Sequence, residues 1–326
     1  MYYLVSSSNN PYFNIASEEY LLKNFTDEFF LLYINEPSII VGKHQNTLSE
    51  INLDYVEANG IKVVRRLSGG GTVFHDSGNL NFCFIRNIAT NEDISFTRFT
   101  QPIVNALATL GIEATFSGRH DLLVKGRKIS GNAMHVYKKR VLSHGTLLYN
   151  SQIGTISRAL KSNPSYFQDK AVKSNRSRVA NISSFLSSPP SIEAFTQQIL
   201  AHIREVNPHA KPYTFSSEDL AAIGQLQKEK FGTWKWNYGY SPKYVFQKDG
   251  LVSGGPASLS LKIEKGRIKT VELRCEILSV ELVKVLSGKL MDTFHERNDI
   301  RGKLQQFFEE NNLKKIKLGE LLNLFF

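Results

Sequence analysis

The chain has 326 residues, 41% hydrophobic and 11% aromatic, a length that predicts a large domain plus a smaller one. Its longest apolar run, Phe29 to Ile34, is far short of the roughly 18 residues of a membrane span, and MYYLVSSSNN carries no export signal, so a cytosolic location with no membrane role is expected. Cys83 and Cys275 belong to no CxxC or Cys/His pattern, which argues against zinc and disulfides, while 40 Lys and Arg against 30 Asp and Glu leave +10 and predict attraction to nucleic acid, a phosphorylated small molecule or an acidic protein.

Asn14 is read as the cap of a first helix through IASEEYLLK, with Glu18 and Glu19 in its first turn, where a capping role is preferred to a catalytic one. FFLLYIN and PSIIVGK read as strands around a Glu36-Pro37 turn, and a helical stretch from about Leu53 to Asn59 ends at Gly60. IKVVRRL is a strand leading into SGGGTVFHDSG, and LNFCFI alternates at strand period. A helix is predicted over Phe99 to Leu110, closed by Gly111, with Ile103, Leu107 and Leu110 on one face. DLLVKGRKISGNA then reads as a hairpin turning at Lys125-Gly126, its return strand carrying Lys128. From about Lys161 to Pro190 the Ser, Asn and Pro content predicts a mobile surface loop. Ser191 to Val206 returns to helix, and Trp234 to Pro242 is an aromatic turn segment with a packed corner around Trp234 and Tyr240. The pattern then changes to a small unit: a hairpin turning at Gly266, helices around Leu282 to Phe294 and Ile300 to Phe308, and a short one near Gly319.

RRLSGGGTVFHD, residues 65–76, is the most informative stretch. Consecutive glycines after a strand let a ligand approach the backbone, their N–H groups suit a carboxylate or phosphate, and Arg65 and Arg66 supply matching charge. The stretch is neither a Walker A loop nor a dinucleotide fingerprint, because no Gly-Lys-Ser/Thr follows and Phe74 stands where the third glycine would fall. The plain alternative is a glycine-rich hairpin with surface arginines. In GRKISGNA a lysine precedes a small-residue bend; such a lysine can act as a fixed cation between a carbonyl oxygen and an α-phosphate, or be merely solvated. His75 with Asp76, and His144, are candidate bases or orienting groups, although adjacent His75 and Asp76 point to opposite faces, which argues against a triad with Ser68. Cys83, between Phe82 and Phe84, reads as a buried inert thiol.

Taken together, RRLSGGGTVFHDSGN, DLLVKGRKISGNA, HGTLLYN, SRVANI and FGTWKWNYG closely resemble the bacterial lipoate-protein ligase A family, in its order and spacing and over nearly the whole chain. The resemblance implies an α/β (α+β) fold: a large mixed-sheet domain shared with biotin protein ligases, here residues 1–246, and a small C-terminal α+β accessory domain, residues 247–326. It implies a two-step reaction in which lipoate and ATP with Mg2+ give lipoyl-AMP and a lysine of an apo lipoyl domain is then acylated. The recipients implied are 2-oxoacid dehydrogenase E2 subunits and the glycine cleavage H protein; octanoate is a further acid. Lys128 matches the family's essential lysine and Arg66 the arginine beside the adenylate. Ser68, Gly69, Gly70, Gly71, Val73, Phe74, His75 and Asn79 fall in the loop motif, and Asp121, Ser130, Gly131, Asn132, Ala133 and His144 in the other matched blocks. Asp121 is the carboxylate expected to assist Mg2+, held mainly by substrate phosphates. One departure is His120, where the family commonly has asparagine. The basic chain fits lipoyl domains that are acidic around their target lysine, so no nucleic acid partner is expected, and the chain is expected to be a monomer whose small domain moves between the two steps. The alternative reading is an octanoyl or lipoyl transferase between carrier proteins, working through a cysteine thioester, with Cys83 as the candidate in the large domain. A non-enzymatic nucleic-acid binder, motivated by the charge, has no recognisable motif.

Overall fold

Asn10 and Pro11 set the start of the first helix. The Asn10 side chain accepts from the Tyr12 N–H, and Pro11 takes the first helical position, so α1 runs over Pro11–Asn24. The cap expected at Asn14 is therefore corrected: the Asn14 amide is engaged by the Ser8 carbonyl and Asn35, and Glu18 and Glu19 lie buried in mid-helix rather than in an exposed first turn.

The computed structural model describes the chain except residues 91, 92, 119, 161, 162, 175 and 176. In chain order, β1 (Tyr2–Val5) precedes α1; β2 (Phe29–Ile34), β3 (Ser38–Val41), α2 (Thr47–Glu50), α3 (Leu53–Ala58), β4 (Lys62–Arg65), β5 (Val73–His75) and β6 (Asn79–Asn87) follow. Next come α4 (Phe96–Ala108), β7 (Thr115–Ser117), β8 (Asp121–Val124), β9 (Arg127–Tyr137), β10 (Arg140–Leu148), α5 (Ile153–Ala159), β11 (Phe167–Asp169), α6 (Ile192–Glu205), β12 (Lys211–Pro212) and α7 (Ser217–Leu226). The last are β13 (Tyr244–Val252), β14 (Gly255–Glu264), β15 (Arg267–Cys275), α8 (Val280–Leu290), α9 (Arg297–Glu310) and α10 (Leu318–Asn323). Two compact units result: residues 1–43, 55–160 and 174–233 form the first, and 44–54, 161–173 and 234–326 the second.

The first unit is built on an eight-stranded mixed sheet in the order β12-β1-β2-β6-β10-β9-β8-β7, with a three-stranded sheet β4-β3-β5 beside it. Strand residues alternate between faces, so β6 presents Leu80, Phe82 and Phe84 to one side and Asn79, Asn81 and Cys83 to the other. The first side forms a core with Ile103 and Leu107 of α4 and Phe195, Ile199 and Ile203 of α6. On the other side, α1 lays Glu18 against Tyr33 of β2 and His144 of β10. The turn at Lys125-Gly126 has positive φ at both residues, 48° and 74°, which fits a two-residue hairpin and sets the register of β8 on β9.

The stretch expected as a mobile loop is pinned at several points. Lys128 donates its N–H to the Arg178 carbonyl and accepts from the Ala180 N–H, and Ile182 is buried in the first unit's core. Backbone pairing, which Ser- and Asn-rich composition does not reveal, fixes residues 177–185; residues 161, 162, 175 and 176 lie outside the described ones.

The second unit is a four-stranded antiparallel sheet β11-β13-β14-β15 covered by α8, α9 and α10, with Phe246, Leu261, Ile268, Leu286, Leu304 and Phe325 in its core. The expected 246/247 junction falls inside β13. The hairpin at Gly266 forms as read, with Lys265 and Gly266 at φ 50° and 75°. Trp234 stacks on Tyr238 in a π-helical turn, Lys235–Gly239, and meets Phe294. His295 is buried among aromatics, accepting from the Tyr244 hydroxyl and donating to the Phe325 carbonyl, and burial pulls its pKa down to about 4. No helix of the described residues is long and apolar enough to cross a membrane.

Candidate active site

Cross-strand partners share a face of a sheet, so the register of the first unit sorts the candidate residues. Asp121 pairs with Gly131, Leu123 with Lys128, and Ala133 with His144, which puts Asp121, Lys128, Gly131, Ala133 and His144 on the face covered in part by α1. A bulge makes this possible: Leu122 faces Ser130 while Leu123 faces Lys128, leaving Ile129 as the extra residue and re-aiming Lys128. Ser130 and Asn132 fall on the opposite face. Asn132 donates to the His120 carbonyl and to Ser130, and its Oδ1 lies where a Cβ on Gly145 would come within 2.1 Å.

Lys128 Nζ is 2.9 Å from Asp121 Oδ1, and the two side chains are 20% and 28% exposed, so the pair is reachable from solvent. Gly131 makes room for the ammonium: a Cβ there would lie 3.2 Å from both Lys128 Cε and Nζ. The loop after β4 approaches the same strand, with Gly70 at φ +87° and its missing Cβ 3.9 Å from that of Ala133. Among the described residues the N–H groups of Gly69, Gly70 and Gly71 find no partner, whereas Thr72 donates to Ser174 Oγ at 2.8 Å. Backbone donors on a loop that approaches the strand of a fixed ammonium suit an anion.

The two arginines before this loop have different partners. Arg65 is fully buried and donates from Nη1 to the carbonyls of Gly42 and Lys43. Arg66 holds the loop from within: Nε donates to Ser68 Oγ at 2.9 Å, Nη1 to the Ile40 carbonyl, and Nη2 to the Gly69 and Gly71 carbonyls at 2.6 and 2.8 Å. Burial draws its pKa down to about 10, far enough above neutrality to keep it charged. Past the loop, Val73 and Phe74 pair with Ile40 and Ile39, and the Phe74 side chain is buried.

Ser68 does not meet His75. Its hydroxyl lies 2.6 Å from His144 Nε2, and His144 Nδ1 lies 2.8 Å from Glu18 Oε2. His75 sits instead in a chain of amides: Asn14 donates to Asn35 Oδ1, so Asn35 Nδ2 donates to His75 Nδ1 and the proton of His75 is on Nε2. That Nε2 and Asn79 Oδ1 are buried with no partner among the described residues. Asp76 accepts from the N–H groups of Gly78 and Gln152 and serves the loop rather than a histidine.

Burial, with Arg66 and His144 adding to it, lowers the His75 pKa from 6.5 to about 3. A folded pKa below the unfolded one means that the unfolded chain binds more protons between those values, so stability is lost as pH falls from 6.5 towards 3. Urea unfolding of His75→Gln is expected to show a pH slope shallower than that of the unaltered protein by up to about 1.4 kcal/mol per pH unit in this window. Parallel slopes would place the proton uptake elsewhere.

Cys83 is buried on the α1-facing side, and burial, then the nearby Glu18, push its thiol well above the ordinary range. Cys275, also buried, belongs to the second unit. Sequence reasoning missed Tyr33, Asn35 and Ser174, and set a capping role for Glu18 above a catalytic one. For Glu18 the signal was present: Asn-Pro at residues 10 and 11 marks the true helix start and moves Glu18 to the middle of a helix.

The mixed sheet, with a glycine loop approaching the strand that carries Lys128, is matched by the catalytic domain of acyl-protein ligases. The chain belongs to the lipoate-protein ligase family: the model of the lipoyl protein ligase A/B catalytic domain matches residues 10–204, and that of the bacterial lipoate protein ligase C-terminus matches residues 241–325. Lipoate-protein ligase 1 of Staphylococcus aureus is 42% identical over 323 residues, 98% of each chain. A structure from T. acidophilum with bound lipoic acid has a TM-score of 0.62 at 26% identity, over 73% of this chain and 98% of that one. A lipoate-protein ligase A bound with ATP has the same score, identity and coverage.

Proposed function

We propose that this protein activates lipoate with ATP as lipoyl-AMP and transfers the lipoyl group to a specific lysine of apo lipoyl domains. Ligase chemistry follows from the family and from the ATP and lipoic acid bound by its relatives. The observation that carries the site assignment is Lys128 Nζ, held by Asp121 and given space by Gly131, on the strand that the glycine loop approaches at Ala133.

In the first step a carboxylate oxygen of the acid attacks the α-phosphorus and pyrophosphate leaves. In the second, the acceptor lysine's amine attacks the acyl carbonyl, AMP leaves and the amine loses a proton. Lys128 serves both as a fixed cation: it draws the carboxylate and the α-phosphate together, then offsets charge developing on the carbonyl oxygen. No bond forms to Lys128. Arg66, Ser68, Gly69, Gly70, Gly71, Val73, Phe74, His75 and Asn79 shape the adenylate side, and Gly131, Ala133 and His144 share the face of Lys128. Ser130 and Asn132 act from behind the strand by fixing its backbone.

No group of three or more potential metal-binding side chains stands among the described residues. In this reading Mg2+ arrives with ATP and is held mainly by phosphate oxygens, with Asp121, the partner of Lys128, as the assisting carboxylate. The net charge of +10 supports acidic lipoyl domains as acceptors, E2 subunits and the H protein among them. A monomer in the cytoplasm completes the reading. Residues 1–246 are assigned to catalysis and 247–326 to the accessory domain.

Incubation with lipoate, MgATP and an apo lipoyl domain is expected to add one lipoyl mass to the domain. Addition without ATP, or none at all, would refute the ligase reading.

A further inference from the structure

Glu18, His144, Ser68 and Arg66 form one continuous buried chain of hydrogen bonds that ends on the glycine loop. Glu18 is 2% exposed, Ser68 0%, Arg66 5% and His144 6%, so water does not set the direction of these bonds. The proton positions follow from one end to the other. As a carboxylate, Glu18 only accepts: the Tyr33 hydroxyl donates to Oε1 at 3.0 Å, and His144 Nδ1 lies 2.8 Å from Oε2 and must carry a hydrogen. A neutral His144 then has a bare Nε2, so the Ser68 hydroxyl 2.6 Å away donates to it. The Ser68 oxygen in turn accepts Arg66 Nε–H at 2.9 Å. With Arg66 Nε–H already on the Ser68 oxygen, the Ser68 hydrogen is left to point at His144 Nε2. The other Arg66 donors grip the carbonyls of Ile40, Gly69 and Gly71.

The Ser-His-Glu order is that of a hydrolytic triad, but the environment is wrong for a nucleophile. Ser68 is fully buried and its oxygen is occupied by Arg66, so the chain of bonds shapes the loop and attacks nothing. We propose that Glu18 is a positioning residue for acid activation: by fixing the His144 tautomer it fixes the donor direction of Ser68, hence the seat of Arg66 and the form of the glycine loop. The proposal rests on the ligase reading.

Glu18→Gln tests it, because glutamine has nearly the shape of glutamate but can donate. A donated amide hydrogen moves the His144 proton to Nε2, so that Nε2–H and Arg66 Nε–H both point at the Ser68 oxygen and the arginine loses its seat. Two measurements are made on the full chain: the 15N signals of the His144 ring, and lipoate-dependent exchange of pyrophosphate into ATP. The expected result is an Nδ1–H tautomer in the unaltered protein and Nε2–H in Glu18→Gln. Exchange kcat in the variant should be about ten- to a hundredfold lower, with a smaller change in KM, and Glu18→Asp should recover the Nδ1–H tautomer and part of the rate. An Nε2–H tautomer in the unaltered protein, or an undiminished kcat in Glu18→Gln, overturns the proposal. Should Glu18→Gln not fold, His144→Gln replaces it, since its amide oxygen can accept from Ser68 without a carboxylate behind it. That variant should exchange at least about tenfold faster than His144→Ala, and equal rates overturn the proposal. An unaltered protein with the Nδ1–H tautomer but no exchange overturns the ligase reading instead, so the two failures are told apart.

Discussion

Lys128→Ala is expected to lower the rate of lipoate-dependent pyrophosphate exchange by about 10²- to 10³-fold, the cost of removing one fixed group aimed at developing charge. The protein should stay folded. Lys128 and Asp121 are 20% and 28% exposed, and a pair of that kind is worth at most about 1 kcal/mol of stability, so the melting temperature moves little while the rate collapses. Lys128→Arg should recover little of the rate. The guanidinium is planar and longer, and the space beside the Lys128 ammonium is that left by the absent Cβ of Gly131, 3.2 Å from Nζ. Because the lysine acts as a charge and not as a nucleophile, denaturing mass spectrometry of the unaltered protein after turnover should find no acyl group on it. A stable acyl adduct at Lys128, or exchange within about threefold of normal in Lys128→Ala, would overturn the role, since charge stabilisation is worth far more than threefold.

Much of the fold was legible in local pattern. The Lys125-Gly126 and Lys265-Gly266 turns, the apolar alternation of β6, and the helix capped by Ser191 all formed where their residues placed them. Those signals are local: a two-residue turn or a cap is decided by residues next to it in sequence. What was not legible depends on pairing across distance. The bulge at Ile129 that aims Lys128 exists only because β8 and β9 slip by one residue, and the Ser-rich stretch near residue 180 is held by hydrogen bonds from Lys128 itself. The site was legible as a set of segments and not as contacts. Arg65 and Arg66 read as equal charges, yet one donates to the carbonyls of Gly42 and Lys43 and the other to those of the glycine loop. His144 has no sequence feature that announces Glu18, more than a hundred residues away.

The close backbone approach at Gly78 yields the largest expected loss of stability. Gly78 accepts at its carbonyl from the N–H groups of Tyr149 and Asn150, where the chain leaving β10 crosses the turn into β6. A Cβ at position 78 would stand 2.1 Å from the Asn150 oxygen, 2.3 Å from its carbonyl carbon and 2.7 Å from the Ser151 nitrogen. All three are backbone atoms, so no side-chain rotation relieves the overlap, and one of the two chain segments must move. Moving either breaks more than the contact: Asp76, two residues back, accepts from Gly78 and from Gln152 and ties the same segments together. Gly78→Ala should therefore cost about 3 kcal/mol, the upper part of the usual range for overpacking, and lower the melting temperature by roughly 6–12 °C. Gly118→Ala is the contrasting case, because its Cβ meets nothing within 4 Å among the described residues and its φ of +58° resists substitution. That change should cost about 1 kcal/mol. Equal losses at the two positions would mean that the crossing at Gly78 gives way, and that backbone conformation rather than space decides both.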